Sequence, residues 1–185
     1  MEERELYSLI FAPVIASLGA FDAGSLSAIV GFCAGGPISL LTIGRERKDP
    51  FVTYVTCELA IREDQVPSDS GHYELSITCD DEDWAWTMLT KVGQMTTDTA
   101  FGSGHTLDIG PWVGEDDLLQ GLAFEELCRS VVGDKDYAVF RLHGLTRDEL
   151  NSAVQFGVFD VLERRKHDGV YPRTHVPQPH KRLGL

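Results

Sequence analysis

Residues 80–110 read DDEDWAWTMLTKVGQMTTDTAFGSGHTLDIG, and their pattern decides the class of fold. Ala85, Met88, Leu89, Val92 and Met95 recur at steps of three and four, which lays one apolar stripe along a helix. Asp80 or Asp81 is placed to cap it, because a short carboxylate accepts bonds from the first free backbone N–H groups. Glu82 and Asp83 set negative charge at the positive end of the helix dipole. Such a stripe needs an apolar partner, and a β-sheet built by the flanking segments is the best one on offer. Phe101-Gly102-Ser103-Gly104-His105 reads as the turn that stops the helix, with glycine taking the positive φ of a sharp reversal. A short strand follows over residues 106–109.

Working outward, residues 25–33 and 38–43 are apolar enough for strands, and Ala34-Gly35-Gly36-Pro37 between them has hairpin chemistry. Residues 51–63 alternate, with Phe51, Val55, Cys57, Leu59 and Ile61 on one face and Tyr54, Thr56, Glu58 and Arg62 on the other. Residues 72–79 alternate again, with Tyr73, Leu75, Ile77 and Cys79 inward. Strands joined by short turns predict an antiparallel meander. Downstream, residues 118–128 fit a helix through Leu119, Leu122, Ala123 and Leu127, and fit a strand through the alternation at 121–124. Residues 137–143 form a strand. Thr146-Arg147-Asp148-Glu149 is then a capping box that starts a helix, with Leu150, Ala153 and Val154 toward the core. Gly157 separates a further short helix over residues 158–166. Residues 2–19 suit an amphipathic helix divided at Pro13.

The order Trp, apolar helical run, Gly-His and short strand in residues 80–110 resembles the suppressor of fused family. The resemblance returns in residues 137–162, YAVFRLHGLTRDELNSAVQFGVFDVL, and covers Leu41-Thr42-Ile43-Gly44 and Cys57-Glu58-Leu59. It spans roughly residues 25 to 165 and favours the strand over the helix at 118–128. It implies an α+β fold, a largely antiparallel sheet with helices packed on it. It also implies a protein-binding function. The animal regulator holds a transcription factor through a peptide strand lodged between two domains, and this chain matches only one domain. Short bacterial relatives look like immunity proteins, which block a toxin encoded nearby.

Composition sets the outer limits. A chain of 185 residues fits one domain, expected over residues 1–168, with an extended or disordered basic tail over 169–185 that adds little stability. The cysteines at 33, 57, 79 and 128 show no metal spacing and predict buried, reduced thiols in the cytoplasm. Met1-Glu2-Glu3-Arg4-Glu5 is net negative where a secretory signal is positive. The uncharged run 23–43 is broken by Gly35-Gly36-Pro37, with no second span to rescue it, so no membrane is expected. The net charge is −13, and the cationic excess is confined to residues 164–185. An acidic body repels phosphate backbones and attracts basic proteins, so nucleic acid is not the expected partner.

The candidate chemistry is sparse. Gly102-Ser103-Gly104 follows a helix and precedes a strand, the reverse of a phosphate-binding loop, where the glycines open a helix. His72, His105 and His143 do not gather with cysteines at zinc spacing, so no metal and no cofactor is expected. No cysteine has the basic setting of a nucleophile. Trp84 and Trp86, at the start of the striped helix, read as packing residues. Trp112 stands between proline and glycine beside Glu115-Asp116-Asp117, and reads equally as an interface anchor or as a loop residue tucked onto the sheet. Glu58 reads as an exposed strand residue or as a contact for a basic partner. The expected partner-binding residues are Trp112, Glu115, Asp116, Asp117, Glu58 and His105, in a non-enzymatic monomer or homodimer that neutralises a basic protein. The alternatives are a metal-assisted hydrolase, in which His105 and Glu58 converge, and a regulatory scaffold that sequesters a protein.

Overall fold

The computed structural model describes residues 26–32, 36–43, 50–114 and 116–177. The strands are β1 (Leu26–Phe32), β2 (Gly36–Ile43), β3 (Val52–Cys57), β4 (His72–Cys79), β5 (Thr106–Asp108), β6 (Leu119–Val132) and β7 (Lys135–Thr146). The helices are α1 (Glu82–Met95), α2 (Arg147–Phe156) and α3 (Val158–His167). One sheet holds all seven strands in the order β1-β2-β3-β4-β7-β6-β5. Every neighbouring pair is antiparallel except β4 and β7, which run parallel from His72 beside Tyr137 to Ile77 beside Leu142. The fold is therefore α+β, with two antiparallel meanders joined along one parallel seam. Helix α1 carries the chain from the seam to the far edge.

Local chemistry explains the element ends. The Asp81 carboxylate accepts the Trp84 N–H at 2.8 Å and starts α1. Thr146 and Glu149 form the expected capping box, so β7 passes into α2 without a loop residue. Gly157, at φ 102°, divides α2 from α3 in a region that disfavours a side chain. Helix α1 stops at Met95, where the Thr96 N–H and hydroxyl both turn back to the Gly93 carbonyl. This corrects the expectation that the 101–105 turn ends the helix. That turn instead seats Phe101 on Phe124, ring centroids 4.6 Å apart.

The strand expected over 51–63 ends at Cys57. Glu58 takes φ 82°, and the Thr56 hydroxyl replaces a backbone partner by accepting the Leu75 N–H at 2.8 Å. Buried Glu74 then holds the departing chain: its carboxyl accepts from the Thr56 hydroxyl at 2.6 Å and from the Ala60 N–H at 2.9 Å. The expected facing of this strand is corrected too, since Val52 and Tyr54 join the core under α1. Both faces of the strand are covered here, so alternation of polarity does not mark inside from outside.

Two different layers cover the sheet. Ala85, Met88, Leu89 and Val92 of α1 pack on Tyr73, Leu75, Ile77, Phe124, Phe140 and Leu142. On the opposite face Leu150, Ala153, Val158, Val161 and Leu162 of α2 and α3 pack on Ala123 and Leu145. Trp84 and Trp86 pack against the α1-side core as expected. The helix expected over residues 2–19 lies outside the described residues.

Within the expected tail, residues 169–177 are extended and make contacts with the body of the domain. The Tyr171 hydroxyl meets Glu125 and Arg141 on the α2–α3 face. Thr174 is buried at the ends of β4 and β7: its N–H donates to the Thr78 carbonyl at 2.8 Å, and its hydroxyl accepts the Gly144 N–H at 3.0 Å. The Val176 N–H donates to Asp80 at 2.8 Å, and its side chain packs against the α1-side core. The segment thus threads from one face of the sheet to the other.

Candidate partner-binding surface

The acidic loop is a built structure. After β5 a single 3₁₀ turn, Gly110–Trp112, turns the chain, and the Trp112 N–H donates to the Ile109 carbonyl at 2.8 Å. Asp108 accepts the Gly110 N–H at 2.8 Å and the Arg147 guanidinium at 2.7 Å, and the guanidinium holds its carboxyl below the ordinary range. The Gln120 amide donates to the carbonyls of Gly114 and Asp117, at 2.9 and 2.7 Å, and so pins both ends of the loop. The Asp117 carboxylate accepts the Gly114 N–H at 2.6 Å, and both Asp116 and Asp117 remain exposed. Glu115 lies outside the described residues. Trp112 is half-buried against the α1-side core, with the Lys91 ammonium 5.3 Å from its ring centre. It rests on the body of the domain and keeps part of its surface open to solvent.

The other expected residues lie elsewhere. His105 is exposed, and its Nδ1 accepts the Gly102 N–H at 3.1 Å, closing the turn before β5. Glu58 sits just beyond β3, and four strand spacings, roughly 19 Å, separate β3 from β5. The two residues do not converge, so the pairing that a hydrolase would need is not assembled. Among the described residues no group of three His, Cys, Asp or Glu is placed to hold a metal ion. Burial pushes the Cys79 thiol up to about 12 and the Cys128 thiol up to about 11, far from a reactive range. No helix among the described residues is long and apolar enough to cross a membrane.

Two arrangements escaped the reading of the sequence. The first is a groove of about 550 Å³ at the end of the sheet, lined by Phe51, Leu118, Leu119, Gly144, Val170 and Arg173 among others. Leu118 is 54% exposed and Val170 50%, an unusual outlay of apolar surface in one place. Leu118 follows directly on Asp116 and Asp117, so acid and apolar groups stand together at the groove mouth.

The second is a polar cluster on the α2–α3 face. The β6–β7 register sets Glu125 opposite Arg141 and Ala123 opposite His143. The fully buried His143 ring places Nε2 2.9 Å from Glu125, and the Tyr171 hydroxyl lies 2.9 Å from the same oxygen. Burial works against an ionised Glu125, yet His143, Tyr171 and Arg141 together leave its carboxyl below the ordinary range. Burial pushes His143 down. Among the described residues Arg141 Nε and His143 Nδ1 are buried without a hydrogen-bond partner. These residues were invisible as a group because Glu125, Arg141 and His143 sit in ordinary strand patterns united only by the register, and Tyr171 joins them from outside the sheet.

A mixed sheet covered by α1 on one side and by α2 and α3 on the other, with a single parallel seam, defines the class. The solved structures of similar fold include the following three. One, described as the Sufu–Fu complex, matches with a TM-score of 0.63 and 13% identity, over 95% of this chain and 90% of that one. A suppressor of fused homolog from Neisseria gonorrhoeae matches with a TM-score of 0.60 and 14% identity, over 90% of this chain and 91% of that one. Drosophila Suppressor of Fused matches with a TM-score of 0.56 and 15% identity, over 76% of this chain, which spans 41% of that protein. The chain has the suppressor of fused fold. No protein-family model and no curated protein matches its sequence.

Proposed function

We propose that this chain is a non-enzymatic protein-binding domain of the immunity type, which neutralises a basic protein by direct contact. The observation that carries the reading is the acidic loop running straight into an apolar groove: Asp116 and Asp117 are exposed, and Leu118 lines the groove mouth. Such a surface attracts a cationic protein over distance and then offers apolar area to bury. The net charge of −13 acts in the same direction. The fold supports it as well, since a chain of similar structure is described in a complex with a protein, Fu. The acting form is a monomer or homodimer in the cytoplasm, and the partner is a basic toxin-like protein.

The test is co-purification with the basic protein encoded beside its gene, followed by binding kinetics at several salt concentrations. Reversing Glu115, Asp116 and Asp117 to lysine slows association and flattens its salt dependence. Replacing Trp112 by alanine raises the dissociation rate, by a cost of about 2 kcal/mol. Unchanged rates in both folded variants would remove the loop from the interface. A chain that neither binds nor inhibits such a protein would sink the reading.

A further inference from the structure

Strands β4 and β7 are the two parallel neighbours, and the helices that follow them leave toward opposite faces: α1 over the Phe124 side and α2 over the Ala123 side. Between parallel strands whose connections part in this way a crevice opens at the carboxyl ends, the usual seat of a ligand in sheets of this kind. Here the crevice is real. Pairing along the seam stops at Ile77 and Leu142, although β4 continues to Cys79 and β7 to Thr146. The Thr78 carbonyl and the Gly144 N–H are left facing a gap.

An extended peptide already lies in that gap, and it is the chain's own. Thr174 bridges β4 in parallel at Cys79, and its N–H and hydroxyl meet Thr78 and Gly144. The absence of a side chain at Gly144 makes the room: a Cβ there would stand 2.6 Å from Thr174 Cγ2 and 3.0 Å from Trp84. Arg173 and His175 flank the threonine, both exposed, and His175 pairs with Asp80. One well-buried side chain and three backbone-directed bonds hold the segment, a contact that another extended chain of the same chemistry can match.

We propose that this crevice is a peptide-binding site for an extended basic segment with Ser or Thr at its centre, supplied by the protein partner in place of residues 173–176. The proposal rests on the protein-binding reading and supplies it with a mode of contact. The partner's hydroxyl takes the place of Thr174 between Thr78 and Gly144, its cations face Asp80 and the Asp116-Asp117 loop, and its apolar residues reach the groove beside Leu118.

The probe is a fluorescent synthetic peptide, VYPRTHVP, copying residues 170–177. Full-length protein carrying Thr174→Pro loses the N–H and hydroxyl that hold its own segment while the crevice stays intact. This variant is expected to bind the probe at least tenfold more tightly than the parent, and to prefer it severalfold over a probe with Val in place of Thr. Adding Gly144→Val should abolish the gain in a chain that still melts cooperatively. If Thr174→Pro fails to fold, Val176→Pro removes only the N–H bonded to Asp80 and should give a smaller gain of the same sign. No gain, with amide exchange showing the segment released, overturns the proposal, as does a Gly144→Val chain that binds unchanged. A parent dimer that the probe dissociates would assign the crevice to a second copy and overturn it too. The probe is independent of any partner, so its failure leaves the protein-binding reading standing. A partner that binds without competing with the probe removes the crevice alone.

Discussion

On the α1 side of the sheet, Tyr73, Phe124, Phe140 and the helix stripe meet as an unbroken apolar layer. Toward the middle of the other side, Glu74, Arg141 and His143 are buried and Glu125 half-buried, and Tyr171 closes over part of them from a segment later in the chain. The first layer is held by removal of apolar surface from water, which needs no exact partner and depends little on pH. The second is held by hydrogen bonds whose worth depends on every member being satisfied. One sheet therefore carries a forgiving face and a conditional one.

The comparison is broken most forcefully at its apolar half. Phe124 is fully buried and stacked on Phe101, so Phe124→Ala should cost about 4 kcal/mol in urea denaturation at every pH from 5 to 9. A strongly pH-dependent cost would show that the two faces are not separate in kind.

Glu74 sharpens the polar half. Burial pushes its carboxyl up to about 8, against the hydrogen bonds from Thr56 and Ala60. The folded chain thus keeps a proton that the unfolded chain loses near 4.5, and stability falls as pH rises from about 4.5 to about 8, then levels. Glu74→Gln has no such loss. Its stability relative to the parent should grow across that window by something on the order of 3 kcal/mol, read from melts at pH 5 and pH 9. Glu125 and Glu149, whose carboxyls are depressed, lose their contribution only as pH falls below the ordinary value of 4.5 and leave the window clear. A flat difference would remove Glu74 as the titrating group.

Smaller effects follow at the cluster. Glu125→Ala leaves Arg141 without its carboxylate and should cost about 2 kcal/mol, with Glu125→Gln recovering part of it. Tyr171→Phe keeps the ring beside His143 and removes only the hydroxyl, for about 1 kcal/mol. Equal costs for the two Glu125 variants would point to lost volume in place of lost polarity.

The forgiving face was also the legible one. The stripe of α1, the Asp81 cap and the alternation of β4 are repeated or adjacent signals, and each reports on local geometry. The suppressor of fused fold and its largely antiparallel sheet followed from their order. The conditional face left no such trace. Thr174 finds Thr78, and Tyr171 finds Glu125, over long stretches of sequence, and no periodicity records that. Glu58 looked like a strand residue because its φ of 82° depends on Glu74, which alternation had already assigned to a strand of its own. The acidic loop was found from its composition, but its pinning by Gln120 and Arg147 required the register of β6.

The parallel seam also governs how fast the molecule forms. Each meander can zip from its own turns, since its partners are close in sequence. Joining them means bringing His72 to Tyr137 and closing a loop of about 65 residues in which neither end gains anything until they meet. The barrier to folding then lies at β4 and β7, in the middle of the finished sheet and not at its edges. Substitutions along that seam slow folding, while equally costly ones in β1 or β5 mainly hasten unfolding.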